Sequence, residues 1–388
     1  MLSETVHSSQ STTFFNDLKT LSDSRDNRGK RHNLAFILGA SALAIMLGRA
    51  RDSSIYRYIE SKIDWLRQIS QMPDANPISR AQLPRILAIA EWNELNKIIE
   101  KNYGVRITCD DHKKWGWIAI DGKTLRGATN AKNKHGERVV LAVPHSREAI
   151  LAQSQMNGPK SSEITTVRTM LQKTGLEKAK ITLDALHCNP KTTEQIHQAN
   201  GMYLTQVKEN QPTLAAQCRH AATHTTPVVT LASTTNKGHG RIETRQATLF
   251  ALEQVELAER WMGSGLQTLI VMERKTVHVV KDKTSQETSY YITNQNVGKG
   301  QQTKALDLAQ AIRGHWGVES DNWIRDVIFE EDDIKIKDGK RAQVMASLRT
   351  LAMSVFRKAN VRNFQAAIET WTDCPGKFES MLRRVKFL

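Results

Sequence analysis

The sequence predicts an α/β fold: a mixed five-stranded sheet flanked by helices, joined to a helical N-terminal domain and a β-rich insertion. Two observations carry that prediction. The apolar runs Trp117-Ile118-Ala119-Ile120 and Ile181-Thr182-Leu183 are short, bounded and buried in character, and each ends in an aspartate, Asp121 and Asp184. The segments between and after them alternate strand and helix patterns, and the ends of neighbouring parallel strands converge in an open α/β sheet. Two carboxylates are therefore expected side by side.

Residues 1 to about 30 are polar apart from Phe14, Phe15, Leu18 and Leu21, and predict one short helix with loose ends. From His32 to about Tyr103 the pattern is helical, with Ile55, Tyr58, Ile59 and Ile63 on one stripe and Leu83, Ile86, Leu87 and Leu95 in a second group. Ser79-Arg80 with Arg85 could begin a DNA-recognition helix, or the bundle could only brace the rest. Strands are then expected over Trp115 to Asp121, Glu137 to Pro144 and Glu148 to Met156. A helix follows from Ser161 to Lys173, capped by Ser161 or Ser162, then a strand Ala179 to Asp184, a helix Thr192 to Ala199 and a strand Met202 to Val207. Three strands, helix, strand, helix, strand is the order of a ribonuclease-H-like core. The stretch from His224 to Asn294 holds β-type runs at Thr244 to Phe250, Thr268 to Met272, Thr276 to Val280 and Ser289 to Ile292, and is too long for a simple connection. The domain reading is 1–110 helical, 111–218 core, 219–294 β-rich insertion and 295–388 core completion with basic C-terminal helices.

A third carboxylate, Glu319, falls in a late helical segment where Leu308, Ile312, Trp316 and Trp323 recur at helical spacing, which places it on the inward, apolar face. One aspartate at a strand end is more often a turn or cap residue than a ligand. Three acids converging on one place are costly without counter-charge, and hard oxygen ligands point to Mg2+ or Mn2+.

The segments Ile120-Asp121-Gly122-Lys123-Thr124-Leu125-Arg126-Gly127, Lys160-Ser-Ser-Glu163-Ile164, Thr182-Leu183-Asp184-Ala185, Glu209-Asn210-Gln211-Pro212-Thr213-Leu214, His239-Gly240-Arg241-Ile242-Glu243 and His315-Trp316-Gly317-Val318-Glu319 resemble the H-repeat-associated family of bacterial insertion-sequence transposases. The resemblance spans nearly the whole chain. It implies a DDE transposase in which Asp121, Asp184 and Glu319 hold two metal ions, Asp121 bridging both, for cleavage and strand transfer of double-stranded DNA at terminal inverted repeats. It also implies that the β insertion holds end DNA, and that the complex with DNA is a homodimer. The wording departs from the family at Glu209, at Asn322-Trp323, and at Lys335 and Lys337, where arginines are usual; lysine keeps the charge but loses the bidentate fork. Ile312, His315 and Asp326 stand where some related transposases carry a tyrosine, an arginine and a basic residue, so those roles are not carried over.

With 55 Lys and Arg against 40 Asp and Glu, the net charge of +15 suits a polyanionic partner. Candidate DNA contacts are Lys123 and Arg126 just past the first aspartate, His187, Arg241 and Arg245 on one face of a strand, and Lys335 and Lys337. Each could instead be a solvated or structural charge. Residues from Lys340 to Leu388 carry ten basic against three acidic residues. Cys109, Cys188, Cys218 and Cys374 form no Cys-x-x-Cys pair, so neither a zinc ribbon nor a disulfide framework is indicated, and a reducing cytoplasm is the natural compartment. The uncharged run Asn33 to Gly48 is too short for a membrane span and is expected to be a buried helix. A nuclease without strand transfer, and a catalytically silent DNA-binding regulator, remain open as alternatives.

Overall fold

A computed structural model of the chain describes residues 13–103, 116–128, 137–147, 150, 152–156, 162–238, 240–253, 257–279 and 283–388. Expectations placed on Trp115, Cys109, the 110/111 boundary, the start of a strand at Glu148, Ser161 and His239 fall outside those residues.

Thr13 caps α1 (Phe14–Leu18), and Asn33 caps α2 (Leu34–Met46) by accepting from the Phe36 N–H at 3.0 Å. Every residue of α2 is buried. That accounts for its uncharged sequence, which is apolar on all sides because the helix runs through the core. No helix among the described residues is long and apolar enough to cross a membrane. Next come α3 (Asp52–Ser61), α4 (Ile63–Ser70), α5 (Leu83–Leu87) and α6 (Trp92–Tyr103). Ile55, Tyr58 and Ile59, and Leu83, Ile86, Leu87 and Leu95, are buried as their spacing predicts. The helix expected from Ser79 starts only at Leu83 and runs for 5 residues, with three of them in the core; it is too short to serve as a groove-reading helix.

The sheet begins with β1 (Trp117–Leu125), β2 (Glu137–Pro144) and β3 (Ala152–Met156), joined antiparallel. After α7 (Ser162–Thr174), β4 (Lys180–Leu183) pairs parallel with β1; after α8 (Pro190–Gln198), β5 (Met202–Val207) pairs parallel with β4. The order β3-β2-β1-β4-β5 is that of the expected ribonuclease-H-like core, and the fold class is borne out. The sheet does not stop there. After α9 (Pro212–His224) come β6 (Val229–Thr230), β7 (Thr234–Gly238), β8 (Arg241–Ala251), β9 (Thr268–His278) and β10 (Lys283–Thr293). β10 pairs antiparallel with β5, then β9 and β8 follow, to give one sheet of 10 strands among the described residues. The β-rich segment thus extends the core sheet rather than standing apart, and it covers the β5 edge that would otherwise present unpaired backbone groups. Thr268 to Met272 and Thr276 to Val280, read as two strands, belong to β9 as far as His278.

Period-two alternation sends the strands' side chains into two layers. Ile118, Ile120 and Ile181 pack with Val167 and Leu171 of α7, Ile196 of α8 and Leu214 of α9. Trp117 and Leu204 pack on the other side, with Leu308 and Ile312 of α10 (Gln302–His315). The chain ends with α11 (Gly317–Trp323), a π-helical turn over Ile324–Ile328, α12 (Gly339–Lys358), α13 (Phe364–Asp373) and α14 (Pro375–Arg384). Leu348, Leu351, Met353 and Phe356 of α12 are buried among the N-terminal helices, and the rings of Phe14 and Phe387 lie 4.9 Å apart. The first described helix and the C-terminal segment share one apolar core.

Candidate active site

Pairing between β1 and β4 stops at Ile120 and Leu183. Beyond it β1 runs on beside β2 as far as Leu125, while β4 ends, leaving a notch. Asp121 is therefore not the last residue of its strand, as the sequence suggested, but the first one past the parallel pairing. Its Oδ1 accepts from the Gly122 N–H at 2.9 Å, and Asn322 donates to its Oδ2 at 3.4 Å. Asp184 follows β4 directly and caps the turn Ala185–His187, accepting from the His187 N–H at 3.3 Å.

Glu319 reaches the notch from α11. It is exposed, not inward-facing as its spacing suggested. The helical register is interrupted: α10 ends at His315, α11 starts at Gly317, and Trp316 and Trp323 are 49% and 56% exposed. The inward side of α11 is held by buried Val318 and, beside it, by charge rather than by a longer apolar stripe. Asp321 is buried and receives Arg147 at 2.9 Å and Arg357 of α12 at 2.6 Å. One turn on, buried Arg325 donates to Thr350 of α12 at 2.6 Å and faces Glu331 at 3.7 Å. The π turn that carries Arg325 is closed by the Phe329 N–H donating to the Ile324 carbonyl, a widening of the helix common at functional sites.

Asp121, Asp184 and Glu319 all line one cavity of about 230 Å3, together with Thr182, Lys208, Tyr291, His315 and Trp316. The Asp121 carboxyl is pushed up to about 6, chiefly by burial, then by the negative charges of Asp184 and Glu163. Partial desolvation in the cavity wall also raises the Glu319 carboxyl above its ordinary value. A cluster of carboxylates that raise one another's affinity for a proton fits a hard divalent cation. Among the described residues, no three His, Cys, Asp or Glu side chains converge closely enough to grip an ion as they stand. Behind the aspartates, His145 Nε2 and His315 Nδ1 lie 2.9 and 3.0 Å from Thr182 Oγ1, and burial lowers both imidazoles to about 4, so they are neutral at neutral pH.

The cavity opens into a groove of about 990 Å3 that shares Tyr291, Ile312, Trp316 and Glu319 with it. Arg241 and Arg245 of β8, Arg274 of β9 and Arg313 of α10 line this groove. The alternation expected of β8 holds, but Glu243 between the two arginines is buried and pairs with both. The other candidate contacts divide. Lys123 is buried, 2.6 Å from Asp326 and 3.8 Å from Asp332, so it ties β1 to the segment after α11 instead of facing phosphate. His187 is fully buried, 3.3 Å from Glu163 Oε1, and likewise faces no solvent. Arg126 is exposed beside Asp332 at 3.7 Å, and Lys335 and Lys337 are exposed in the loop that follows.

Sequence reasoning passed over Glu163, His145, Arg147, Asp321 and Arg357. Glu163 carried a signal, since it lies in one of the quoted motifs, but a lone acid in a first helical turn reads as a dipole or cap residue.

Residues 116–355 match the family model described as Transposase DDE domain, and residues 15–101 match the one described as DDE_Tnp_1-associated. The chain is similar to "H repeat-associated putative transposase YhhI" of Escherichia coli strain K12, 25% identical over 365 residues that cover 90% of this chain and 91% of that protein. It is also similar to "Putative transposase YncI" of Escherichia coli O157:H7, 26% identical over 353 residues, 88% of this chain and 86% of that one. With the larger model matching well over half its length, the chain belongs to the Transposase DDE domain family.

Proposed function

We propose that the protein cleaves double-stranded DNA at the ends of an insertion sequence and joins those ends to target DNA, using Asp121, Asp184 and Glu319 as its catalytic carboxylates. One observation carries the reading: acids from β1, from the end of β4 and from α11 line a single cavity that opens into an arginine-lined groove. Asp121 and Asp184, with Glu319 closing from the other side, would hold the divalent ions. When bound, two Mg2+ or Mn2+ ions supply a deprotonated nucleophile and neutralise the charge of the leaving oxygen. The chain's own groups do the rest. Asp184 and Asp121 are fixed by backbone donors, and the Asp321 and Arg325 ion pairs hold α11 in place so that Glu319 faces the notch. Arg241, Arg274 and Arg313 would take the phosphates of end DNA along the groove, with Arg126, Lys335 and Lys337 on a second side. End recognition by the N-terminal helices and a homodimeric DNA complex belong to the same proposal.

The test is cleavage of DNA carrying the element's terminal repeats. Asp121→Ala, Asp184→Ala and Glu319→Ala are each expected to abolish cutting while end binding stays within a few-fold of wild type. Near-wild-type cutting by any one of them would show that the trio is misassigned.

A further inference from the structure

Glu163 is buried near the start of α7, on the side of the sheet opposite α11. Its carboxylate lies flat against β1 at Gly122: a Cβ on that glycine would sit 2.3 Å from Glu163 Oε1 and 2.4 Å from its Cδ. The carboxylate occupies the space a side chain at 122 would need, and as the end of a flexible side chain it is what a methyl group there would push aside. The residue before Gly122 is Asp121. Glu163 Oε1 also faces His187 Nε2 at 3.3 Å, and His187 is the residue whose backbone N–H caps Asp184. His187 is fully buried, and its Nδ1 has no partner among the described residues. The imidazole therefore bridges Glu163 and the turn that aims Asp184. Glu163 does not line the 230 Å3 cavity. Its influence passes through charge and through His187.

We infer that Glu163 is a fourth carboxylate of the metal centre, a positioning residue that works with His187 to strengthen cation binding at Asp121 and Asp184 from the layer opposite Glu319. The inference rests on the metal-dependent reading of the site proposed above. Without Glu163 the ions would meet one less negative charge and a less constrained Asp184. Outer groups of this kind typically contribute 10- to 100-fold in metal affinity. A glutamate placed only to satisfy His187 would contribute nothing to it, because glutamine can make the same hydrogen bond.

The experiment is Mn2+ binding to the full chain, measured by electron paramagnetic resonance of the free ion, on wild type, Asp184→Asn, Glu163→Gln and Gly122→Ala, with thermal melting of each metal-free protein. Glu163→Gln keeps shape and hydrogen bonding but removes the charge; Gly122→Ala keeps every carboxylate but displaces this one. Both are expected to melt close to wild type and to bind Mn2+ about tenfold or more weakly. Wild-type affinity in both, with Asp184→Asn impaired, would overturn the role of Glu163 and leave the metal site standing. Absence of Mn2+ binding by wild type would overturn both. Should Glu163→Gln fail to fold, the affinity of Gly122→Ala decides.

Discussion

Asp121 stands in a notch with Asp184 and Glu163 as negative neighbours, and its behaviour with pH follows from that setting. Its carboxyl is raised from 3.8 to about 6, so the folded chain binds this proton more tightly than the unfolded one. The stabilising contribution is complete below about 4 and is lost as pH rises through about 6, which leaves the metal-free protein strained at neutral pH. A cation that replaces the proton reverses the strain. Mn2+ affinity should accordingly be flat above pH 7 and fall by about tenfold per unit below pH 6, where one proton must leave for each ion bound. Titrations at pH 5, 6, 7 and 8 check this; an affinity unchanged down to pH 5 would remove Asp121 from the site. The placement of Asp121 and Asp184 was legible because two short apolar runs each stop at an acid. The fate of Lys123 was not, since its partner Asp326 lies 203 residues away and nothing local distinguishes a buried lysine from a phosphate-facing one.

At the level of elements, α11 shows how buried charge can reinforce a short helix that offers the core little beyond Val318. Asp321 and Arg357 are both buried, and removing one member of a buried ion pair leaves the other uncompensated. Asp321→Asn is expected to cost about 3 kcal/mol of stability in chemical denaturation and to slow cleavage more than it weakens DNA binding, because it loosens the helix that carries Glu319. Stability within about 0.5 kcal/mol of wild type would mean that the clamp is incidental. Periodicity misread this helix because it assumes one unbroken register, and the break at Trp316 turns Trp316 and Trp323 outward together. The long strands failed for a similar reason. The charges Glu273-Arg274-Lys275 split β9 in two by pattern, and residues 283–289 of β10 are so largely exposed that they show no apolar alternation. Pro144 and Gly201 bound β2 and β5, and there the strand limits were read to the residue. On β8, Arg241 is half exposed while Arg245 is tied closely to Glu243. Arg241→Ala should therefore reduce the salt dependence of end-DNA binding by about one unit of slope with little change in melting temperature. An unaltered slope would assign this strand to structure alone.

The whole molecule is one extended sheet with two different coverings. On one side α7 and α8 close the core in the manner the strand and helix order foretold, joined by α9, which that order did not include. On the other, α10 and α11 carry the groove and Glu319, while α12 to α14 pack into the N-terminal helices and bring α1 against the C-terminal segment. That union was not legible, because contacts between residues such as Phe14 and Phe387 leave no local pattern. It ties whatever the N-terminal helices bind to the element that bears Glu319 through α12. The central claim is that the three acids act as metal ligands, and exchanging the ligand chemistry tests it most directly. Asp121→Cys, Asp184→Cys and Glu319→Cys should each lose cleavage of end DNA in Mg2+, which disfavours sulfur, and recover a measurable part of it in Mn2+, which tolerates a thiolate better. Equal cleavage by any of these variants in Mg2+ and in Mn2+, at the wild-type rate, would contradict the claim.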